Sequence, residues 1–404
     1  MAKPSQRIQR ITGGGSDGWD LFYRAKDLIR QGVEVIELTI GEHDVKTDPA
    51  ILDAMRDAAG AGHTGYASIP GIPELRAAVA ERTERITGVP TRPENVIVTP
   101  GGQSALFAAH QLVGDPGERA LFIDPYYATY PGTIRAAGLE PQTVAARAEA
   151  GFEPLEEDLA DAAPCARSVL VNSPNNPTGV VYGERTLRGL QRVAEAHDLW
   201  VISDEVYDSQ VWEGRHLSPR ALPGMETRTL VVGSLSKSHA MTGSRLGWVL
   251  GPVEAMELLW DLSTVSNYGI PGFIQDAGVF ALAQGPDYEA RIAAPFQRRR
   301  EITQRLLGGQ NVVRAAPQRG AMYAMLDVRA TGLSGEGFAL QLLDEERIAV
   351  LPGESFGSAG AGHVRLAMTV ADEVYEDALR RVLDLAARLA AERARSGARL
   401  PQVG

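Results

Sequence analysis

Short runs of β-branched and aliphatic residues recur through the middle of the chain, and between them apolar residues return every three or four positions. Val96–Thr99, Arg119–Asp124, Thr229–Ser234 and the runs at 167–172, 199–204 and 245–250 are mostly apolar, the pattern of strands buried on both faces. Residues 183–198 carry Leu187, Leu190 and Ala194 at helical spacing, so one face of that segment covers a sheet. The alternation runs from about residue 95 to 250 and predicts an α/β domain built on a mostly parallel sheet. A ligand of such a sheet sits beyond the carboxyl ends of its strands.

The last third reads differently. Residues 295–307 and 371–396 are charged helical stretches, the second with an apolar stripe of Val374, Ala378, Val382, Leu385 and Leu389, and 322–328 is strand-like. Residues 35–40 have a strand pattern with no partner nearby in sequence. We therefore expect a smaller α+β domain over 291–404, completed by an N-terminal segment 1–45, and a large domain over 46–290. The stretch 397–404 is expected to fray.

Composition narrows the function. The 404 residues hold 40 Lys plus Arg against 51 Asp plus Glu, a formal charge of −11, which lacks the basic footprint of a nucleic-acid partner. A single cysteine, Cys165, gives no internal disulfide framework and fits a reducing, cytoplasmic setting. Apolar runs stay far below the roughly 20 residues of a membrane helix, and the polar first ten residues lack a signal-peptide core. Gly13, Gly15 and Gly18 have dinucleotide-loop spacing, but no strand precedes them. The seven histidines are scattered and suggest no metal site; His43, His63 and His239 are expected to pack or face solvent. Arg298, Arg299 and Arg300 read as a solvated helix face, and Cys165 as a bystander in a loop.

Four segments, each after a predicted strand, carry polar groups suited to one site. Pro100, Gly101, Gly102, Gln103 and Ser104 lead into an apolar helical run, leaving backbone N–H groups free at a helix N-terminus to receive an anion. Residues 173–179, Ser-Pro-Asn-Asn-Pro-Thr-Gly, form a tight turn rich in amides. Ser203, Asp204, Glu205, Val206 and Tyr207 set carboxylates and a phenol at a strand end, and Ser234, Ser236, Lys237 and Arg245 follow another. Each alone is an ordinary turn or a surface lysine. Together an amine, an anion cradle, a carboxylate and amide or phenol donors are what a pyridoxal phosphate pocket requires.

The run from Ser234 to Gly247 resembles, position by position, the lysine motif of the class I and II aminotransferases, the fold type I family of pyridoxal phosphate enzymes. The resemblance extends to 38–44, 66–76, the Asn-Asn-Pro-Thr-Gly turn, 203–207, 352–357 and 364–367, and so to nearly the whole chain. It implies an α/β fold whose large domain has a mostly parallel seven-stranded sheet between helices, beside a smaller α+β domain. It also implies a ping-pong transaminase acting on an amino acid and a 2-oxo acid such as pyruvate or 2-oxoglutarate. The cofactor would be pyridoxal 5′-phosphate, present as pyridoxamine 5′-phosphate after the first half-reaction, in a homodimer with shared active sites.

Residue roles follow from that resemblance. Lys237 would form the Schiff base with the cofactor aldehyde and move the proton at the substrate Cα, and Asp204 would pair with the pyridinium nitrogen. Tyr207 and Asn176 resemble the donors to the ring's 3′ oxygen, with Asn176 also within reach of the substrate carboxylate. Tyr127 stands where an aromatic residue stacks on the ring. The phosphate would be held by Gly101, Gly102, Gln103, Ser234, Ser236 and Arg245, and by Tyr66 from the neighbouring subunit. Arg365 would grip the substrate α-carboxylate through a fork of two N–H bonds, with Gly41 giving the backbone close approach.

The side-chain pocket is less defined. Residues 197–204, 217–225, 234–243 and 268–277 are similar to bacterial arginine:pyruvate transaminases, although Ser244 stands where tryptophan is usual. A guanidinium would call for an acid, and Asp17 and Glu42 border the substrate side in the family. No arginine is marked for a distal carboxylate, yet aspartate, aromatic and aliphatic donors stay open. Two other functions also remain: a carbon–sulfur β-lyase on the same fold, and the ligand domain of a transcription regulator, which the acidic composition disfavours.

Overall fold

The computed structural model describes residues 2–14 and 18–397. Gly15, Asp17 and the stretch 398–404 of the expected frayed tail lie outside the described residues. The strands, in chain order, are Ile36–Glu37 (β1), Val96–Thr99 (β2), Arg119–Asp124 (β3), Glu140–Ala145 (β4), Ala166–Asn172 (β5), Trp200–Asp204 (β6), Thr229–Ser234 (β7), Gly247–Leu250 (β8), Arg314–Ala315 (β9), Tyr323–Asp327 (β10), Ile348–Ala349 (β11), Leu351–Pro352 (β12) and His363–Ala367 (β13).

Strands β2 to β8 form one seven-stranded sheet in the order β2-β8-β7-β6-β5-β3-β4, mostly parallel as expected of this α/β fold. Only β8 runs against its neighbours, β2 and β7. β2, β7 and β8 are buried along their whole length, which is why they read as unbroken apolar runs. The edge strand β4 escapes that pattern because only Val144 in it is buried. Before β8 the chain makes a 3₁₀ turn over Thr242–Ser244 and Arg245 turns left-handed at φ 50°, so the strand begins two residues later than the apolar run suggests. The helix Glu184–Ala196 buries Leu187, Leu190, Val193 and Ala194 on the sheet.

A second core gathers the chain ends. β12, β13, β10 and β9 form an antiparallel sheet, and β1 pairs in parallel with β11, Ile36 opposite Ile348. The unpartnered strand pattern at 35–40 thus finds its mate far downstream. Helices Gly335–Glu346 and Asp372–Ser396 pack here through Phe338, Leu342, Leu379 and Val382, joined by Leu21 and Leu38 from the N-terminal part. Val374 departs from the expected stripe: it is 40% exposed, and Tyr375 takes its place in the core. The helix containing Pro295 spans Gly285–Leu307 and so starts well before that residue.

The run Arg298 to Arg300 corrects the expectation of a solvated face. Arg299 and Arg300 are buried, because carboxylates and carbonyls of neighbouring segments satisfy them. Arg298 alone remains largely in solvent. His43 packs edge-on against Phe296, His239 stacks on Tyr288, and His63 pairs with Asp276 at 2.5 Å. Among the described residues no helix is long and apolar enough to cross a membrane.

Candidate active site

Strand register assembles the site. In the large sheet Asn172 lies opposite Asp204, and Ser234 opposite Gly247, so chemically active strand ends stand side by side. Asn172 Nδ2 donates to the Asp204 carbonyl at 2.9 Å and its Oδ1 accepts from the Asn176 N–H at 2.8 Å, which ties the amide-rich turn to β6. A cavity of about 300 Å³ opens at this edge. Gly102, Gln103, Tyr127, Asn176, Asp204, Tyr207, Ser234, Ser236, Lys237 and Arg245 line it, facing Gly41 and Arg365. Gly101 sits just behind, where a Cβ would come within 2.5 Å of the Arg245 guanidinium, so the helix start and that arginine approach only because glycine is there. Tyr66 is the expected residue that lies away from the cavity and from its backing: its side chain is 91% exposed, edge-on to Tyr268.

Lys237 sits on the single helical turn Leu235–Ser238, capped by Ser234 Oγ, which accepts from the Ser236 N–H at 3.0 Å. Its Nζ donates to the Gly41 carbonyl. Burial pushes the ammonium down to about 8, with Glu42 opposing and Arg365 and Arg245 assisting. A useful fraction is therefore the free, nucleophilic amine near neutral pH. His43, which burial lowers to about 4, adds no charge beside it.

Asp204 is shifted the other way. Burial raises its carboxyl to about 6, against the pull of a 2.6 Å hydrogen bond from Tyr130 Oη and a longer one from the Val206 N–H. It forms no ion pair among the described residues, so the buried acid is suited to a cationic partner from a ligand.

Arg365 is the complementary case. The guanidinium is 1% exposed and lies between the rings of Tyr323 and Phe356, 4.5 and 4.6 Å from their centroids. It donates to Asn176 Oδ1 at 2.8 Å and to the Thr39 carbonyl, while Nε has no partner. No carboxylate pairs with it among the described residues, which suits it to receive one from a ligand. Opposite, Gly41 leaves room for Tyr323: a Cβ would fall 1.9 Å from the phenol oxygen. Tyr323 in turn shares a 2.8 Å hydrogen bond with Tyr207 and accepts from Asn176 Nδ2 at 3.4 Å.

The anion cradle is built from backbone. The helix Gly101–Val113 opens without a side-chain cap, and the Gln103 amide is turned away onto Thr133 and Thr129. Tyr127, edge-on to Tyr130, completes the wall, its hydroxyl pushed by burial to about 12. The cavity also uses Trp19, Tyr130, Asn172, Thr242 and Tyr323, which the sequence reading did not single out. Tyr130 lies in the same tyrosine-rich segment as Tyr127, a signal that could have found it; Tyr323 stands in a strand pattern that marks it only as core. Glu42, on the rim, accepts from Thr242 Oγ1 at 2.7 Å.

Residues 33–382 match the family described as Aminotransferase class I and II. The chain belongs to the class I and II aminotransferases. An arginine–pyruvate transaminase of Pseudomonas aeruginosa is 41% identical over 95% of this chain and 98% of its own length. An aspartate/prephenate aminotransferase of Thermus thermophilus is 38% identical over 89% and 92%. The solved Thermus thermophilus aspartate aminotransferase with maleate superposes with a TM-score of 0.88 at 35% identity, covering 95% of this chain and all of that one. This aminotransferase is thus a transaminase acting on amino and oxo acids, and of the functions left open by the sequence it is the one retained.

Proposed function

We propose that this aminotransferase holds pyridoxal phosphate in the 300 Å³ cavity and takes a basic amino acid, arginine above all, as donor to a 2-oxo acid such as pyruvate. The observation that carries the reading is the juxtaposition in one cavity of an amine of lowered pKa, Lys237, an acid of raised pKa, Asp204, and a buried guanidinium with no counter-ion among the described residues, Arg365. The donor set fits the cofactor: the N–H groups of Gly101, Gly102 and Gln103 with Ser234, Ser236 and Arg245 would hold its phosphate, and Asp204 its pyridinium. When bound, the cofactor supplies an electron-withdrawing ring that makes the substrate Cα proton removable.

The chain's own groups do the rest. Lys237 Nζ carries the proton at the substrate Cα, and Arg365 with Gly41 fixes the α-carboxylate so that Cα faces Lys237. Tyr207 and Asn176, joined through Tyr323, orient the donors at the ring edge, and Tyr127 offers a flat wall. Exposed Tyr66 is suited to reach the phosphate of a second subunit in a homodimer. The segments 1–45 and 291–404 would form the smaller domain against 46–290. Glu42 on the rim supports a cationic donor side chain, as does the likeness to the Pseudomonas aeruginosa enzyme. We place the enzyme in the cytoplasm.

The test is a half-reaction. Cofactor-loaded protein is mixed with single L-amino acids without oxo acid, and the absorption spectrum is followed. Conversion to pyridoxamine phosphate fastest with arginine is expected; aspartate or an aromatic donor leading would overturn the basic-donor reading, and a protein that takes up no cofactor would overturn the site.

A further inference from the structure

Arg299 lies outside the cavity, on the helix Gly285–Leu307, yet it joins three segments that build the substrate side. Its guanidinium grips Asp44 with two hydrogen bonds, 3.0 and 2.6 Å, donates to Asp372 at 2.8 Å and to the Met368 carbonyl at 2.8 Å. Asp44 ends the segment 39–44, a strap whose Gly41 carbonyl accepts from Lys237 and whose Thr39 carbonyl accepts from Arg365. Met368 follows β13, the strand that carries Arg365, and Thr369 beside it donates to the Ile40 carbonyl at 3.1 Å. Asp372 opens the last helix and also accepts from Arg298. A buried arginine, each of whose three nitrogens donates to one of these groups, thus lies between the strap and the exit of β13.

We propose that Arg299 is a positioning residue for the substrate carboxylate: through Asp44 and Met368 it sets the spacing between Gly41 and Arg365 without touching the substrate. This role rests on Arg365 being the carboxylate's partner. A lysine could serve Asp44 or Asp372 but not both with the Met368 carbonyl. Donor and acceptor share the carboxylate and differ in the rest of the molecule. Loosening its seat therefore acts equally on both, whereas a change in the side-chain pocket acts on one.

The experiment uses holoenzyme carrying Arg299→Gln, Asp44→Asn, the two combined, and Arg365→Lys as reference. Steady-state kinetics are measured for the best donor and for the oxo acid, with cofactor retention and melting temperature alongside. The expected result for Arg299→Gln is a rise of roughly tenfold in both KM values by the same factor, with kcat within about threefold and cofactor retention unchanged. The double variant should be no worse than the poorer single one, because both remove the same link. Unchanged KM with a lowered melting temperature, a rise for one substrate only, or parallel loss of cofactor overturns the role. If Arg299→Gln fails to fold, Asp44→Asn, whose carboxylate is partly exposed, carries the test with the same expected outcome. Should Arg365→Lys itself leave KM unchanged, the carboxylate seat falls and the role of Arg299 with it; a rise for Arg365→Lys alone overturns only Arg299.

Discussion

The two walls of the cavity are built by opposite means. One consists of strand ends: Asp204, Ser234 and the segments bearing Lys237 and Arg245 stand in a register fixed by a hydrogen-bonded ladder. The other is assembled from remote pieces: Tyr323 on β10 and Arg365 on β13 share the small antiparallel sheet, and Thr39 and Gly41 from the N-terminal part are joined to it and to Lys237 by separate hydrogen bonds and an ion pair. The first wall is fixed within one ladder; in the second, the N-terminal segment is only as fixed as its links to the small sheet. Substitutions on the ladder wall should therefore act on kcat or on cofactor affinity, and those on the assembled wall on KM.

The largest effect should come from Lys237→Ala, which removes the only amine that lines the cavity among the described residues and should lower kcat by about 10⁴-fold or more, read in single turnover with the preferred donor. Next is Arg365→Lys, on the other wall. Losing the fork costs about 1.5–3 kcal/mol, so KM for every amino acid should rise roughly 10- to 100-fold and kcat should fall by less, since Cα is also misplaced relative to Lys237; a kcat loss as large as the rise in KM, or lost cofactor retention, would erase the contrast between the walls.

Asp204 gives a pH signature of comparable size. Its carboxyl titrates at about 6 in the folded protein against 3.8 when free, so between these values the folded state holds a proton that the unfolded state has lost. Stability of the cofactor-free protein therefore falls as pH rises from about 4 to 6, by up to about 3 kcal/mol, and stays lowered above. Asp204→Asn should melt higher than the parent at pH 7 and equally at pH 4; melting curves at both values check the sign. Gly41→Ala should cost about 1–3 kcal/mol by forcing Tyr323 away, and raise KM more than it lowers kcat. The smallest expected effect is that of Tyr66→Phe, a two- to tenfold weaker hold on the cofactor, roughly one hydrogen bond. Mixed dimers pairing it with Lys237→Ala subunits would show whether the site is shared.

The same contrast decided what could be read from the sequence. Motifs such as residues 203–207 and 234–247 are contiguous because a strand end and the turn after it are contiguous, so the ladder wall was legible residue by residue. β4 was not, since an edge strand needs no apolar face, and neither was Arg299, because a charged run signals solvent until the carboxylates that neutralise it are seen. Tyr323 sits in a strand among Ala324, Met325 and Leu326, and nothing local separates an aromatic that lines a cavity from one that fills a core. Arg365 was found by resemblance; its burial with no carboxylate partner among the described residues, which explains what it can do, is a property of the folded chain.

The reversed direction of β8 has a consequence for how the site could change. Had β8 run parallel to β7, the chain would have had to cross to the opposite edge of the sheet before re-entering. Running antiparallel, it leaves β7 at Ser234 and returns at Gly247 on the same edge, so the entire connection stays at the cavity. Lys237 and Arg245 thus travel on one short link whose two ends are clamped in neighbouring strands. Such a link is held at both ends: its side chains can be exchanged, whereas an inserted residue has to be absorbed between Ser234 and Gly247, beside Lys237 and Arg245.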